Sequence, residues 1–102
     1  MDIEAVKEII SRNKKLLEEK YRVKVIGIFG SYVKGDFSKR SDLDILVDFF
    51  EPLDIFEFIR LEDFLSNLLS VKVDLVSKKA LKPLIKDDIL KETVYIWKKE
   101  VL

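Results

Sequence analysis

The chain has 102 residues, with 19 basic and 19 acidic side chains and neither histidine nor cysteine. This length fits a single domain over residues 1–102, and the apolar fraction of 48% is sufficient for a hydrophobic core. The missing residue types exclude disulfides, thiolate metal sites, thiol nucleophiles and imidazole catalysis, so any chemistry must use carboxylates, hydroxyls, lysines, backbone amides or an oxygen-bound metal.

The N-terminal third of the chain predicts a helix and then a strand. Residues 22–29 are rich in β-branched side chains and predict a buried strand that ends at Gly30. A short helix is predicted over 31–34, closed by Gly35. The first helix is predicted over 2–20 from apolar residues that share one face: Ile3, Val6, Ile10 and Leu17.

The central third predicts a second strand and a long helix. A polar loop over 36–41 leads to residues 42–50, where acidic and apolar side chains alternate with the period of a strand. Asp54 and Glu57 have the spacing of a capping box at the start of a helix that runs to about Ser70. Its apolar stripe consists of Phe58, Leu61, Leu65 and Leu68.

The C-terminal third predicts a third strand over 71–76 and a last helix that begins at Pro83 and runs to about Thr93. Residues 94–97 are apolar and fit either a helix or a strand. Two side chains of the last helix are predicted to face inward: Ile85 and Ile89. The order of elements predicts an α/β domain whose small sheet is covered by helices mainly on one face.

The net charge of zero hides an acidic centre, since residues 42–63 carry one basic and eight acidic side chains. A neutral chain of this kind is a poor candidate for direct nucleic-acid binding. No apolar run approaches the roughly 18 residues of a membrane helix, and the first residues lack the layout of a signal peptide. We therefore expect a cytoplasmic protein with no membrane partner.

Gly30 and Ser31 follow a predicted strand and open a predicted helix. A glycine lets the backbone approach a ligand closely, and the free N–H groups at a helix start suit phosphate. The serine hydroxyl adds one donor. Taken alone, however, this pair is more typical of a plain turn.

Asp42 and Asp44 lie at the start of the second strand, two residues apart, so both carboxylates project from one face. Magnesium prefers such hard oxygen ligands. Taken alone, the pair also fits two surface acids at a strand end. Asp48 lies on the same face but roughly 13 Å from Asp44, too far to share a metal. We expect Asp48 to serve surface solubility.

Asp74 interrupts the apolar third strand and shares a face with Lys72. An acid facing solvent on a strand is ordinary. If this strand lies beside the strand that bears Asp42 and Asp44, however, three carboxylates converge. Such a cluster would form the two-magnesium site that is used for phosphoryl and nucleotidyl transfer.

Together these motifs resemble the polymerase-beta-like nucleotidyltransferases, and in particular the minimal branch of MntA-type antitoxins that pair with HEPN-domain toxins. The stretch FGSYVKGDFSKRSDLDILVDF over 29–49 carries the resemblance, which VDLVS at 73–77 and ALKPLIKDDIL at 80–90 extend over most of the chain. One departure is Lys34, where relatives often carry arginine. Lysine keeps the charge but loses the bidentate fork.

The resemblance implies an α/β (α+β) nucleotidyltransferase palm, with a mixed sheet of three or four strands and helices mainly on one face. It implies transfer of AMP from ATP to a hydroxyl, a tyrosine of the HEPN toxin, with release of pyrophosphate and help from two Mg²⁺ ions. The implied metal ligands and catalytic residues are Asp42, Asp44 and Asp74. The implied nucleotide-binding residues are Gly30, Ser31, Lys34 and Ser41.

We expect the acceptor to bring its own docking surface. Candidate interface residues are Phe37, Phe56, Tyr95 and Trp97, although Tyr95 and Trp97 also fit a role in the core. Two alternatives stay open. The first is an antitoxin that neutralises its partner by binding alone. The second is a nucleotidyltransferase that acts on a small molecule or on an RNA 3′ hydroxyl.

Overall fold

A mixed sheet of four strands organises the part of the chain that the computed structural model describes, residues 2–35 and 42–99. The first strand pairs antiparallel with the second and the fourth, and the second pairs parallel with the third. The spatial order is third, second, first, fourth. In chain order the strands are β1 (Val23–Phe29), β2 (Leu43–Phe49), β3 (Val73–Ser77) and β4 (Val94–Lys98). The ambiguous segment over 94–97 is therefore a strand.

Five helices and a short 3-10 turn at Lys78–Ala80 connect the strands in the described residues. The predicted capping box at the start of the fourth helix is confirmed: Asp54 accepts from the backbone N–H of Glu57 at 2.8 Å, and Glu57 accepts from that of Asp54 at 3.3 Å. The helices are α1 (Ile3–Arg12), α2 (Lys14–Tyr21), α3 (Ser31–Lys34), α4 (Ile55–Leu69) and α5 (Pro83–Glu92).

The single helix predicted over 2–20 is wrong, because the chain breaks at Asn13 into α1 and α2. The Asn13 side chain donates to the carbonyl of Ile9 at 2.9 Å, a local bond of the kind that lets asparagine interrupt a helix. The predicted apolar face persists across the break, since three of its members are fully buried: Val6, Ile10 and Leu17.

The hydrophobic core lies between α1, α2 and α4 and one face of the sheet, to which β2 contributes Leu43, Ile45 and Val47. This arrangement confirms the predicted fold class, a small mixed sheet with helices mainly on one face. The inward placement of Ile85 is wrong, because that side chain is 47% exposed and α5 contributes no buried residue. In the described part of the chain, no helix is both long enough and apolar enough to cross a membrane.

Candidate active site

Asp44 of β2 and Asp74 of β3 are direct partners in the parallel register. On its other side Asp44 pairs with Phe29, the last residue of β1. The end of β1 and the starts of β2 and β3 therefore meet at one edge of the sheet. The structure thus brings together two of the three predicted carboxylates and places the Gly30–Ser31 turn beside them.

Burial and neighbouring negative charges both disfavour the ionised form of Asp44. The pKa of Asp44 is raised from 3.8 to about 6, first by burial, then by the negative charges of Asp74 and Asp42 and by a side-chain hydrogen bond with Asp74. The charge of Glu92 adds a smaller effect in the same direction. A site that disfavours its own negative charge in this way is suited to receive a cation.

Asp42 forms an ion pair of its own beside this pair. It precedes the first residue of β2 and lies 3.7 Å from the ammonium of Lys72, measured from Oδ2 to Nζ. Within residues 2–35 and 42–99, no group of three or more acidic side chains is arranged to hold a metal ion. The charge of Asp42 still acts on Asp44, so the part of Asp42 in the predicted three-carboxylate cluster stays a prediction.

A carboxylate pair still fits Mg²⁺. Magnesium is commonly held by one or two carboxylates, while substrate phosphates and water complete its coordination. Asp44 and Asp74 offer hard oxygen donors on adjacent strands, and the charge of Asp74 is, after burial, one of the causes that raise the pKa of Asp44. The chemistry of this donor set is therefore compatible with magnesium.

Gly30 has a backbone conformation that favours glycine, with φ +77°. A Cβ atom at this position would clash with Oδ2 of Asp44 and would lie 3.1 Å from its Cγ. The carbonyl of Gly30 accepts from the N–H groups of Val33 and Lys34, both at 3.1 Å, and so begins α3. The absence of a side chain at Gly30 thus lets the Asp44 carboxylate lie against bare backbone.

Glu92 belongs to this site, although the motifs gave no indication of it. Its Oε1 accepts from the backbone N–H of Gly30 at 3.2 Å, and its Oε2 lies 3.4 Å from Nζ of Lys34. The register of the sheet explains why Glu92 lies here. Ile28 pairs with Val94 in the antiparallel ladder, so Gly30 and Glu92, two positions further, lie opposite each other.

The remaining predicted site residues have mixed outcomes. Ser31 is the half-buried first residue of α3, directly after Gly30. Ser41 and Phe37 lie outside the described residues. Of the candidate interface residues, Phe56 is 68% exposed, whereas Tyr95 and Trp97 lie half-buried in β4.

The surface role predicted for Asp48 is wrong. The side chain is only 8% exposed and accepts from the N–H of Phe49 at 3.0 Å. A cavity of about 440 Å³ lies at this end of β2, lined mainly by apolar residues. The cavity does not include the Asp44–Asp74 pair, so we do not assign the chemistry to it.

Comparison with known proteins identifies the family. A model of the nucleotidyltransferase domain matches residues 6–96. The chain therefore belongs to the nucleotidyltransferase-domain family, and the resemblance read from its motifs is confirmed.

Two relatives match over nearly their whole length. A chain of Methanocaldococcus jannaschii, provisionally named a protein adenylyltransferase, is 50% identical over 95 residues, covering 92% of this chain and 97% of its own. The protein adenylyltransferase MntA of Thermococcus cleftensis is 45% identical over 96 residues, covering 94% and 97%. Both relatives are thus similar in size to this chain as well as in sequence.

Two solved structures are similar in fold. A crystal structure of a toxin–antitoxin complex with AMP-PNP matches with a TM-score of 0.75 at 26% identity, covering 92% of this chain and 74% of that one. A structure of a tri-AMPylated Shewanella oneidensis HEPN toxin in complex with an MNT antitoxin matches with a TM-score of 0.68 at 23% identity, covering 92% and 73%. At that identity the second likeness supports the fold alone.

Proposed function

We propose that this chain is a protein adenylyltransferase that moves AMP from ATP onto a tyrosine hydroxyl of a HEPN-domain toxin, releases pyrophosphate and thereby acts as an antitoxin. The observation that carries the proposal is the Asp44–Asp74 pair beside the bare backbone of Gly30. Sequence similarity also supports the proposal, because the chain is 45% identical to a protein adenylyltransferase over almost its full length.

In this proposal Asp44 and Asp74 would hold magnesium, and Asp42 would be a further ligand for a second ion once its ion pair with Lys72 opens. When bound, the ions would stabilise the charge on the attacked α-phosphate and on the leaving pyrophosphate. The acceptor oxygen forms a bond to the α-phosphorus while the bond from that phosphorus to the bridging oxygen of pyrophosphate breaks. Asp74 receives the hydroxyl proton, since the chain has no histidine to serve as base.

The phosphates of ATP are bound by Gly30, Ser31, Lys34 and Ser41. The N–H of Gly30 and the ammonium of Lys34 are both directed at an anion in the structure, the carboxylate of Glu92. A phosphate can take the place of that carboxylate because it offers the same type of acceptor oxygen. Lys34 acts as a point charge here and does not provide the bidentate grip of an arginine.

The acceptor is a protein that docks on this chain, and the reaction takes place in the cytoplasm. Two neighbouring apolar side chains at the start of α4 are strongly exposed, Ile55 at 65% and Phe56 at 68%. Exposed large apolar groups of this kind favour a protein contact. The structural likeness to an antitoxin crystallised with its toxin supports the same choice of partner.

The test is label transfer in a complex of this chain with the protein encoded beside it. ATP labelled at the α-phosphate should label the partner in the presence of Mg²⁺, whereas ATP labelled at the γ-phosphate should not. Asp44→Asn should remove the label. Asp87→Asn makes the same chemical change at an exposed position of α5 and should keep it. Transfer of the γ-label, or equal α-labelling by Asp44→Asn, would refute the proposal.

An antitoxin that acts by binding alone is the second candidate. It is favoured by the finding that Asp42 pairs with Lys72, because this ion pair would have to open before Asp42 could bind a metal ion. This candidate predicts that Asp44→Asn neutralises the toxin as well as the unaltered chain does. The enzymatic proposal predicts that neutralisation is lost in the same variant.

A further inference from the structure

Glu92 holds the two groups that the proposed function assigns to the phosphates of ATP. One carboxylate oxygen accepts from the N–H of Gly30 at 3.2 Å, and the other lies 3.4 Å from the ammonium of Lys34. A single carboxylate thus engages both donors with its two oxygens. Two anionic oxygens on one centre are also what a phosphate group would present to the same donors.

The position of Glu92 follows from the way β4 lies on β1. Gly27 has no side chain, and a Cβ atom there would lie 2.5 Å from Cγ2 of Thr93 and 3.1 Å from the carbonyl oxygen of Val94. Thr93 is itself buried, and its hydroxyl donates to the carbonyl of Ile89 at 2.6 Å. The chain therefore leaves α5 close against β1, which places Glu92 opposite Gly30.

A triphosphate and Glu92 cannot share these donors without strong repulsion. The carboxylate of Glu92 already adds to the negative charge around Asp44, and a bound triphosphate would bring several more negative charges to the same place. Glu92 must therefore withdraw when the triphosphate binds. The two contacts that must break for the carboxylate to withdraw are one backbone hydrogen bond and one ion pair whose lysine is 65% exposed.

We propose that Glu92 occupies the phosphate subsite of the nucleotide-free chain and that the β- and γ-phosphates of ATP displace it, so that Glu92 lowers the affinity for triphosphates. The inference rests on the proposed function, which assigns Gly30 and Lys34 to those phosphates. AMP lacks the β- and γ-phosphates and does not reach this subsite. Glu92 therefore lowers the affinity for ATP and leaves the affinity for AMP unchanged.

The test measures the dissociation constants of AMP-PNP and of AMP, in the presence of MgCl₂, by titration calorimetry. Glu92→Ala frees both donors and should tighten AMP-PNP binding by about tenfold, the effect of one charged hydrogen bond. Glu92→Gln keeps an acceptor for Gly30 but no charge for Lys34, so its constant should fall between those of Glu92→Ala and the unaltered chain. AMP binding should be the same in all three chains.

Asp87→Asn on the same helix removes one negative charge at an exposed position and should leave both constants unchanged. Thermal unfolding of each variant identifies any that fail to fold, in which case Glu92→Gln replaces Glu92→Ala. If Glu92 had only a structural role, both variants would bind AMP-PNP no more tightly than the unaltered chain does. That result, or an equal gain for AMP and AMP-PNP, would overturn the inference.

The same titrations separate the inference from the proposed function. If the unaltered chain binds AMP-PNP and the Glu92 variants bind it no more tightly, the inference fails while the proposed function stands. If none of the chains binds AMP-PNP, both fail. If only the Glu92 variants bind it measurably, both are supported, because the obstruction is then the carboxylate itself.

Discussion

The carboxylate of Asp44 rests directly against the backbone of Gly30, at a point where any Cβ atom on Gly30 would clash with Oδ2 of the aspartate. The two residues come from neighbouring antiparallel strands, because Phe29 pairs with Asp44 and Gly30 follows immediately. The contact brings the metal-binding carboxylate of the proposed site next to the backbone N–H of the proposed phosphate site. The chemistry that we propose depends on this proximity.

Gly30→Ala should therefore abolish label transfer. Gly35 provides a matched control, because it also has a positive φ, +76°, while no atom of the described residues lies within 4 Å of a Cβ built there. Gly35→Ala should cost only the backbone strain, about 1–2 kcal/mol of unfolding free energy, and should retain transfer. Gly30→Ala has the same backbone strain and, in addition, a clash between its Cβ atom and Oδ2 of Asp44. Transfer at the normal rate by Gly30→Ala would show that this contact is not needed.

Asp74→Asn should lower the rate of AMP transfer by about a hundredfold or more, because the substitution removes a charged ligand from the reacting centre. The side chain is exposed, so the free energy of unfolding should change by about 0.5 kcal/mol or less. Asp63→Asn is a control at an exposed position of α4. Undiminished transfer by Asp74→Asn would remove that residue from the mechanism.

The raised pKa of Asp44 predicts how stability depends on pH in the absence of metal. A carboxyl whose pKa rises from 3.8 to about 6 on folding binds its proton more tightly in the folded state. Its contribution to stability is therefore most favourable below pH 3.8, falls between pH 3.8 and about 6, and is least favourable above. Asp44→Asn removes this pH-dependent penalty.

Denaturant titrations in EDTA at pH 4 and pH 8 test this prediction. The change in unfolding free energy caused by Asp44→Asn should be more stabilising at pH 8 than at pH 4. The change caused by Asp87→Asn should be the same at the two pH values. Added Mg²⁺ should stabilise the unaltered chain at pH 8 and not Asp44→Asn. An equal effect of Asp44→Asn at both pH values would contradict the raised pKa.

Gly27→Ala should destabilise the fold by about 1–3 kcal/mol, the usual cost of forcing extra volume into a packed site. The reason is the 2.5 Å separation between a Cβ at Gly27 and Cγ2 of Thr93. Denaturant unfolding measures the loss directly. The substitution should also raise the affinity for AMP-PNP, because it pushes Thr93 and the adjacent Glu92 away from β1. Unchanged stability would mean that β4 can move aside freely.

Local patterns predicted most of the secondary structure. The capping box at Asp54 and the strand β2 were predicted from residues a few positions apart, and the structure contains both. The break at Asn13 was missed because the apolar face continues across it, so periodicity alone does not reveal the interruption. Asp48 was misplaced because alternation does not show what covers the second face of a sheet.

The site was predicted less completely than the fold, since its geometry depends on pairing between distant strands. The pairing of Asp44 with Asp74 was expected only on the condition that their strands are neighbours. Glu92 lies 62 residues from Gly30, and no local pattern connects the two. The position of Glu92 follows only from the register of β4 on β1, which the sequence motifs do not specify.

The most direct test of AMP transfer is the intact mass of the partner that we propose, a HEPN-domain toxin, after incubation of the complex with ATP and Mg²⁺. We predict that the partner gains the mass of one or more AMP groups, that this chain does not, and that the gain is absent with Asp44→Asn. An unmodified partner, in a complex that forms normally and is neutralised equally by Asp44→Asn, would contradict the enzymatic account and favour an antitoxin that acts by binding alone.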